Sequence, residues 1–153
     1  MDVENQVQPG CGPVMHVHWK QDENLTVISG KLATQVKGQE PVYHQPGDTV
    51  TFKRGEWHRF WNAGEEELHC KGWIRPANNI VYFLSELYKA MDKGKEHRPE
   101  PVAAAFLMTR YKSEFDVDGI PSFVKKVIIP VQYFVGKITG KHRRFRGAPA
   151  PVI

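Results

Sequence analysis

Between Val14 and Arg75 apolar and polar positions alternate in short runs. Each run closes on a turn signal: Ser29-Gly30-Lys31, Lys37-Gly38-Gln39, Gln45-Pro46-Gly47-Asp48, Lys53-Arg54-Gly55-Glu56 and Ala63-Gly64-Glu65. The alternation predicts strands near Pro13–Lys20, Leu25–Ser29, Leu32–Val36, Val42–His44, Thr49–Phe52, Trp57–Trp61 and Leu68–Ile74. Strands this short, with turns this frequent, predict a mainly β sandwich or jelly-roll barrel.

After Pro76 the period lengthens. Ile80, Phe83, Leu84, Leu87, Tyr88 and Met91 recur at three and four residues, the stripe of an amphipathic helix. Asn78 or Asn79 can cap its start and Gly94 can end it. A second helix is expected over Val102–Phe115, with Pro101 suited to the first turn. A third, after Pro121, carries Val124, Val127, Ile128, Val131, Phe134, Val135 and Ile138, and Pro130 should kink or split it. The expected division is therefore a β-domain over 1–76 and a helical extension over 77–153, with a basic, loose tail from about residue 140. That extension would cover a barrel face or a subunit interface.

Composition narrows the classes. The chain has 153 residues, 41% of them apolar and 25% charged, enough for a real core in a soluble protein. No apolar run approaches the roughly 20 residues of a membrane-spanning helix. The start, Met1-Asp2-Val3-Glu4-Asn5, lacks the basic-then-apolar plan of a secretory signal. Two cysteines, Cys11 and Cys70, suit a reducing compartment, so a cytoplasmic protein is expected. Charge is unevenly placed: residues 1–76 carry 8 Lys/Arg against 10 Asp/Glu, residues 77–153 carry 13 against 7.

The chemistry-bearing residues sit in the β-region. Alternate residues on a strand face one side, so His16 and His18 present two imidazoles to one space. Glu23 follows after a short turn, and a closed sheet could bring His58 opposite the pair. Three imidazoles and a carboxylate on one ion leave positions open for chemistry. Burying such a set without an ion would be costly, because buried polar groups need partners. Phe60 shares a face with His58 and Asn62 and is the expected aromatic pocket wall, with Tyr43 as a second pocket candidate and phenolic acid/base. His44 and His69 are expected at the surface or a strand edge, Cys11 as a loop filler and Cys70 in the core.

Gly10, His16, His18, Glu23 and Gly30, followed by Gly47, Gly55, His58 and Asn62, resemble in type and spacing the two motifs of the cupins. The helical tail is similar to that of bacterial cupins with a C-terminal extension. The resemblance implies a jelly-roll barrel with one divalent transition metal (Fe, Mn, Ni or Zn) on His16, His18, Glu23 and His58. It also implies dioxygenase chemistry first, then isomerase, cyclase or lyase chemistry, on a small oxygen-bearing molecule. Glu23 would be the ligand that loosens and takes a proton. A metal-containing sensor or carrier without catalysis is the alternative. Lys53 stands where the family usually has proline, so Lys53→Pro is expected to be tolerated or mildly stabilising.

Only fifteen residues precede His16. Either Val3–Gln8 supplies a further strand or a second chain completes the sheet, and a homodimer is expected, with exchange of N-terminal strands as one form of it. The basic stretch Lys137, Lys141, His142, Arg143, Arg144 and Arg146 reads first as cations at a helix C-terminus. Peripheral contact with an anionic membrane is the second reading. Nucleic-acid binding has no motif in its favour.

Overall fold

The computed structural model describes residues 1–94 and 98–153. Its chain divides into two compact units, one of residues 1–77 with 116–118, the other of residues 78–115 with 119–153.

The first unit is two antiparallel sheets, as the alternation implied. One sheet joins β1 (Asp2–Val7), β8 (Leu68–Arg75), β3 (Asp22–Ser29) and β6 (Thr49–Phe52), in that order across the sheet. The other runs β5 (Val42–His44), β4 (Leu32–Val36), β7 (His58–Asn62), β2 (His16–His18) and β9 (Phe115–Val117). Leu25, Val27, Leu32, Phe52, Phe60, Leu68 and Cys70 form the buried core. This is a jelly-roll arrangement whose core is drawn from the inner faces of β3, β4, β6, β7 and β8.

Two close approaches fix the barrel. A side chain at Gly72 would lie 1.8 Å from the carbonyl oxygen of Asn24, so β8 can run against β3 there only without one. A side chain at Gly12 would meet the Phe60 carbonyl oxygen at 2.1 Å. The segment before β2 thus lies flat on the end of β7, with Gly10 N–H donating to Asn62 O and Asn62 N–H to Cys11 O. Asn62 anchors its surroundings through Nδ2 bonds to the carbonyls of Val7 and Glu66, while its Oδ1 accepts from Gly64 N–H.

The strand required ahead of β2 comes from the chain itself. β1 pairs with β8 from Asp2 opposite Trp73 to Val7 opposite Leu68. β1 thus lies along the free edge of β8.

The second unit holds α1 (Ile80–Asp92), α2 (Pro101–Arg110) and α3 (Ile129–Ile138). α2 is shorter than expected, because Tyr111 ends it and Phe115 already belongs to β9. The third helical stretch is continuous where a kink or split at Pro130 was expected: Val124–Ile128 is a π-helical turn that passes directly into α3 one residue before the proline, with Ile128 and Ile129 both in helical dihedrals.

Contrary to the expectation of a loose tail, residues after 140 are folded. Lys141–Phe145 form a 3₁₀ turn, and the buried Phe145 ring stacks on Phe106 at 4.1 Å. Arg110 donates to the carbonyls of Ala148 and Pro149, and the Glu114 carboxylate accepts from Val152 N–H. Composition marked this segment as polar but could not show that α2 supplies it with donors and an aromatic shelf.

Candidate metal centre

Register builds the site. His16 lies directly opposite His58 across β2 and β7, and His18 follows on the same face. In the facing sheet, β3 alternates Glu23, Leu25 and Val27 inward, and Glu23 pairs with Phe52 of β6. One sheet thus supplies three imidazoles and the other a carboxylate. One potential ligand atom from each of His16, His18, Glu23 and His58 lies within 4.8 Å of all the others.

The imidazoles converge on a single carboxylate oxygen. Glu23 Oε2 is 3.2 Å from His18 Nε2, 3.2 Å from His58 Nε2 and 3.9 Å from His16 Nε2. The opposite ring nitrogens of two of them are tied to the backbone: His16 Nδ1 is 2.8 Å from Val14 O and His58 Nδ1 is 2.9 Å from Glu56 O. A carbonyl oxygen only accepts, so each Nδ1 carries the proton and, in a neutral ring, Nε2 is left as a lone pair. Lone pairs then face a carboxylate oxygen. Such a set is satisfied by a shared proton or by a cation, and the nitrogen–oxygen donor mixture suits a divalent transition metal.

The electrostatics agree. Burial pushes the Glu23 carboxyl up, but its close contacts with His16, His18 and His58 outweigh it and hold the group well below its usual range. Burial lowers His18, partly countered by its hydrogen bond and attraction to Glu23. Both effects favour the deprotonated donors that a metal needs.

Phe52 is the aromatic that sequence reasoning missed. It stacks on His58 with ring centroids 4.0 Å apart and planes 7° from parallel, holding the imidazole by its face. The inward alternation of Val50 and Phe52 was the available signal. Phe60 does point inward, two residues from His58, but its ring is taken up by the apolar core.

Tyr43 is not a pocket residue. It pairs with Ala33, which pairs with Trp61, and this puts it on the face of the sheet opposite His58 and Phe60. The residue is 56% exposed and its ring lies under Lys31 Nζ at 5.0 Å. His44, one residue on, takes the inner face instead, where Nε2 meets Thr34 Oγ1 at 2.9 Å. His69 faces outward and pairs with Glu4 at 2.7 Å. Cys11 is exposed, and burial pushes the Cys70 thiol up to about 11, so neither joins the cluster.

The turn before β7 also differs from expectation. Lys53 N–H donates to the Glu56 carboxylate at 3.0 Å, a bond that a proline could not make. The lysine is part of how this chain closes the turn.

Residues 4–74 match the family model described as the cupin domain. Over these residues, a little under half of the chain, the protein carries a cupin domain. The cupin segment is 30% identical over 67 residues to "Probable oxidoreductase virH" of Hypocrea virens, covering 42% of this chain and 31% of that protein. It is 31% identical over 75 residues to "Oxidoreductase iacF" of Pestalotiopsis fici, covering 48% and 37%. The match therefore spans about a third of each of these relatives. A solved uncharacterised protein with a double-stranded β-helix domain from Klebsiella pneumoniae shares 27% identity, with 50% of this chain and 67% of that one aligned at a TM-score of 0.47.

Proposed function

We propose that this cupin is a metal-dependent enzyme that oxidises a small oxygen-bearing organic molecule. The observation that carries the reading is the convergence of three imidazole nitrogens on one buried carboxylate oxygen. His16, His18, Glu23 and His58 would hold one divalent transition metal (Fe, Mn, Ni or Zn). Bound there, the metal supplies an electrophilic centre to which a substrate's enolate, hydroxyl or carboxylate oxygen can attach.

The chain's own residues do the rest. Val14 and Glu56 carbonyls fix the His16 and His58 rings with Nε2 turned inward. Phe52 and the core behind it exclude water from one side. His16 is the most open of the four, with 19% of its side chain exposed, so a substrate enters past its ring. Glu23 is the carboxylate placed to accept a proton from a bound hydroxyl. Two relatives named as oxidoreductases support redox chemistry over isomerisation or cyclisation, the second reading.

The test is oxygen uptake by purified protein reconstituted with Fe(II), Mn(II), Ni(II) or Zn(II), against a panel of diols, enolates and flavonoids. Substrate-dependent oxygen consumption that needs His58 supports the reading. Turnover without oxygen consumption selects isomerase or cyclase chemistry. Tight ligand binding with no turnover under any metal selects a sensor.

A further inference from the structure

The helical unit exposes an apolar stripe that its own packing does not use. Phe123, Val127, Val131, Phe134 and Ile138 recur at intervals of three and four residues through the π-helical turn and α3. They are 64%, 42%, 52%, 61% and 64% exposed. Single exposed apolar side chains are ordinary, but an aligned row of five, two of them phenylalanine, marks an interaction surface.

Charge decides what fits it. Lys125 and Lys126 stand at one end of the stripe, and Lys137, Lys141, Arg143 and Arg146 at the other. From Gly119 to Ile153 the chain has no aspartate or glutamate. At the far end, Lys137, Ile138, Thr139, Gly140, His142, Arg143 and Arg146 line a cavity of about 380 Å³, a cationic notch beside the last apolar residue. A second copy seated on this face would set cation against cation, with no carboxylate in the segment to pair them. An anionic lipid surface satisfies both features: acyl chains receive the apolar row and phosphates meet the flanking cations. No helix among the described residues is long and apolar enough to cross a membrane, so the stripe would lie along the surface.

We propose that the helical unit docks the protein peripherally on an anionic membrane through Phe123, Val127, Val131, Phe134 and Ile138, with a lipid phosphate seated in the Lys137–Arg143–Arg146 notch.

The test is co-sedimentation of the full chain with phosphatidylcholine vesicles and with phosphatidylcholine–phosphatidylglycerol vesicles, at low and high salt. Expected is binding to the mixed vesicles that is at least about tenfold stronger than to neutral ones and weakens with salt. Lys137→Gln with Arg143→Gln should lower partitioning about fivefold per cation removed. Phe134→Ser with Ile138→Ser should lower it about tenfold or more at either salt, and because both positions are exposed the helical circular dichroism should persist. Equal binding to neutral vesicles, or none to either kind, overturns the proposal. So does a dimer in size-exclusion chromatography that Phe134→Ser dissociates without any vesicle binding, which would assign the face to a second copy. Salt-sensitive RNA binding indifferent to Phe134→Ser, in place of vesicle binding, would equally overturn it.

Discussion

The two units solve opposite problems with the same kinds of residue. In the cupin unit, polar side chains go inward: His18, Glu23 and His58 are all buried, and the outer faces carry pairs such as His69–Glu4 and Arg54–Asp22. In the helical unit, large apolar side chains point outward, while its interior holds a carboxylate, Glu114, bonded to Asn79. The barrel can bury its charges because imidazoles from one sheet answer a carboxylate from the other. Among the described residues the helices have no such answer for Phe134 or Ile138. Inverted burial in each case points to something that is not part of the chain.

The comparison can be broken first at the ligands. His58→Ala should lower metal affinity at least about a hundredfold, while the antiparallel barrel stays folded and the helical unit is unaffected. Metal content after dialysis, with far-ultraviolet circular dichroism as the fold control, checks it. Wild-type metal content would remove His58 from the ligand set.

Glycines at close approaches separate the units by stability. Gly72→Ala drives a methyl group into the Asn24 backbone, which cannot swing away, and should cost the barrel about 3 kcal/mol or more. Gly136→Ala meets the His142 ring at 2.2 Å and Val102 Cγ1 at 2.6 Å, side chains that can give somewhat. It should cost about 1–3 kcal/mol. Hydrogen exchange read by mass spectrometry should show loss of protection in barrel peptides for the first and in helical peptides for the second. Loss spread evenly over both in either variant would contradict the division.

Acidity should act mainly on the barrel. His18 and Glu23 both bind protons less readily folded than unfolded. The metal-free barrel should therefore hold its full stability above the ordinary histidine range, near pH 6.5, and lose it as pH falls. The Glu23 share goes last, between its ordinary value and its lowered one. Urea midpoints of chelated protein from pH 8 down to about pH 2 would show this; a midpoint that rises on acidification would reverse the assigned sign.

The smallest effect concerns Lys53→Pro. The substitution stiffens the unfolded chain but removes the amide bond to Glu56, so a net loss of about 1 kcal/mol is expected. A gain in thermal midpoint would mean that the turn closes as well without that bond.

Much of the barrel was legible because its period is two and its turns carry glycine. Strands β4, β5 and β6 stand where the alternation put them. His16, His18, Glu23 and His58 could be grouped because spacing along strands fixes which face a side chain takes. Tyr43 was misjudged because the face it presents depends on its cross-strand partner Ala33, and register between strands is not written in local pattern. Phe52 was missed although its strand alternates; what alternation could not show is that Glu23 lies opposite it. The tail after Gly140 was hidden for a related reason, since its order comes from Arg110, Phe106 and Glu114, some thirty to forty residues earlier.

Two imidazoles hang from carbonyls only two residues upstream, Val14 for His16 and Glu56 for His58. Each ring is thus aimed by its own stretch of chain and needs no visitor to find its tautomer. Loading and unloading then ask little rearrangement of the protein, and affinity ranks candidate ions by their own chemistry, with copper ahead of zinc and iron. Which ion resides there in the cell would follow from supply more than from the shape of the cradle.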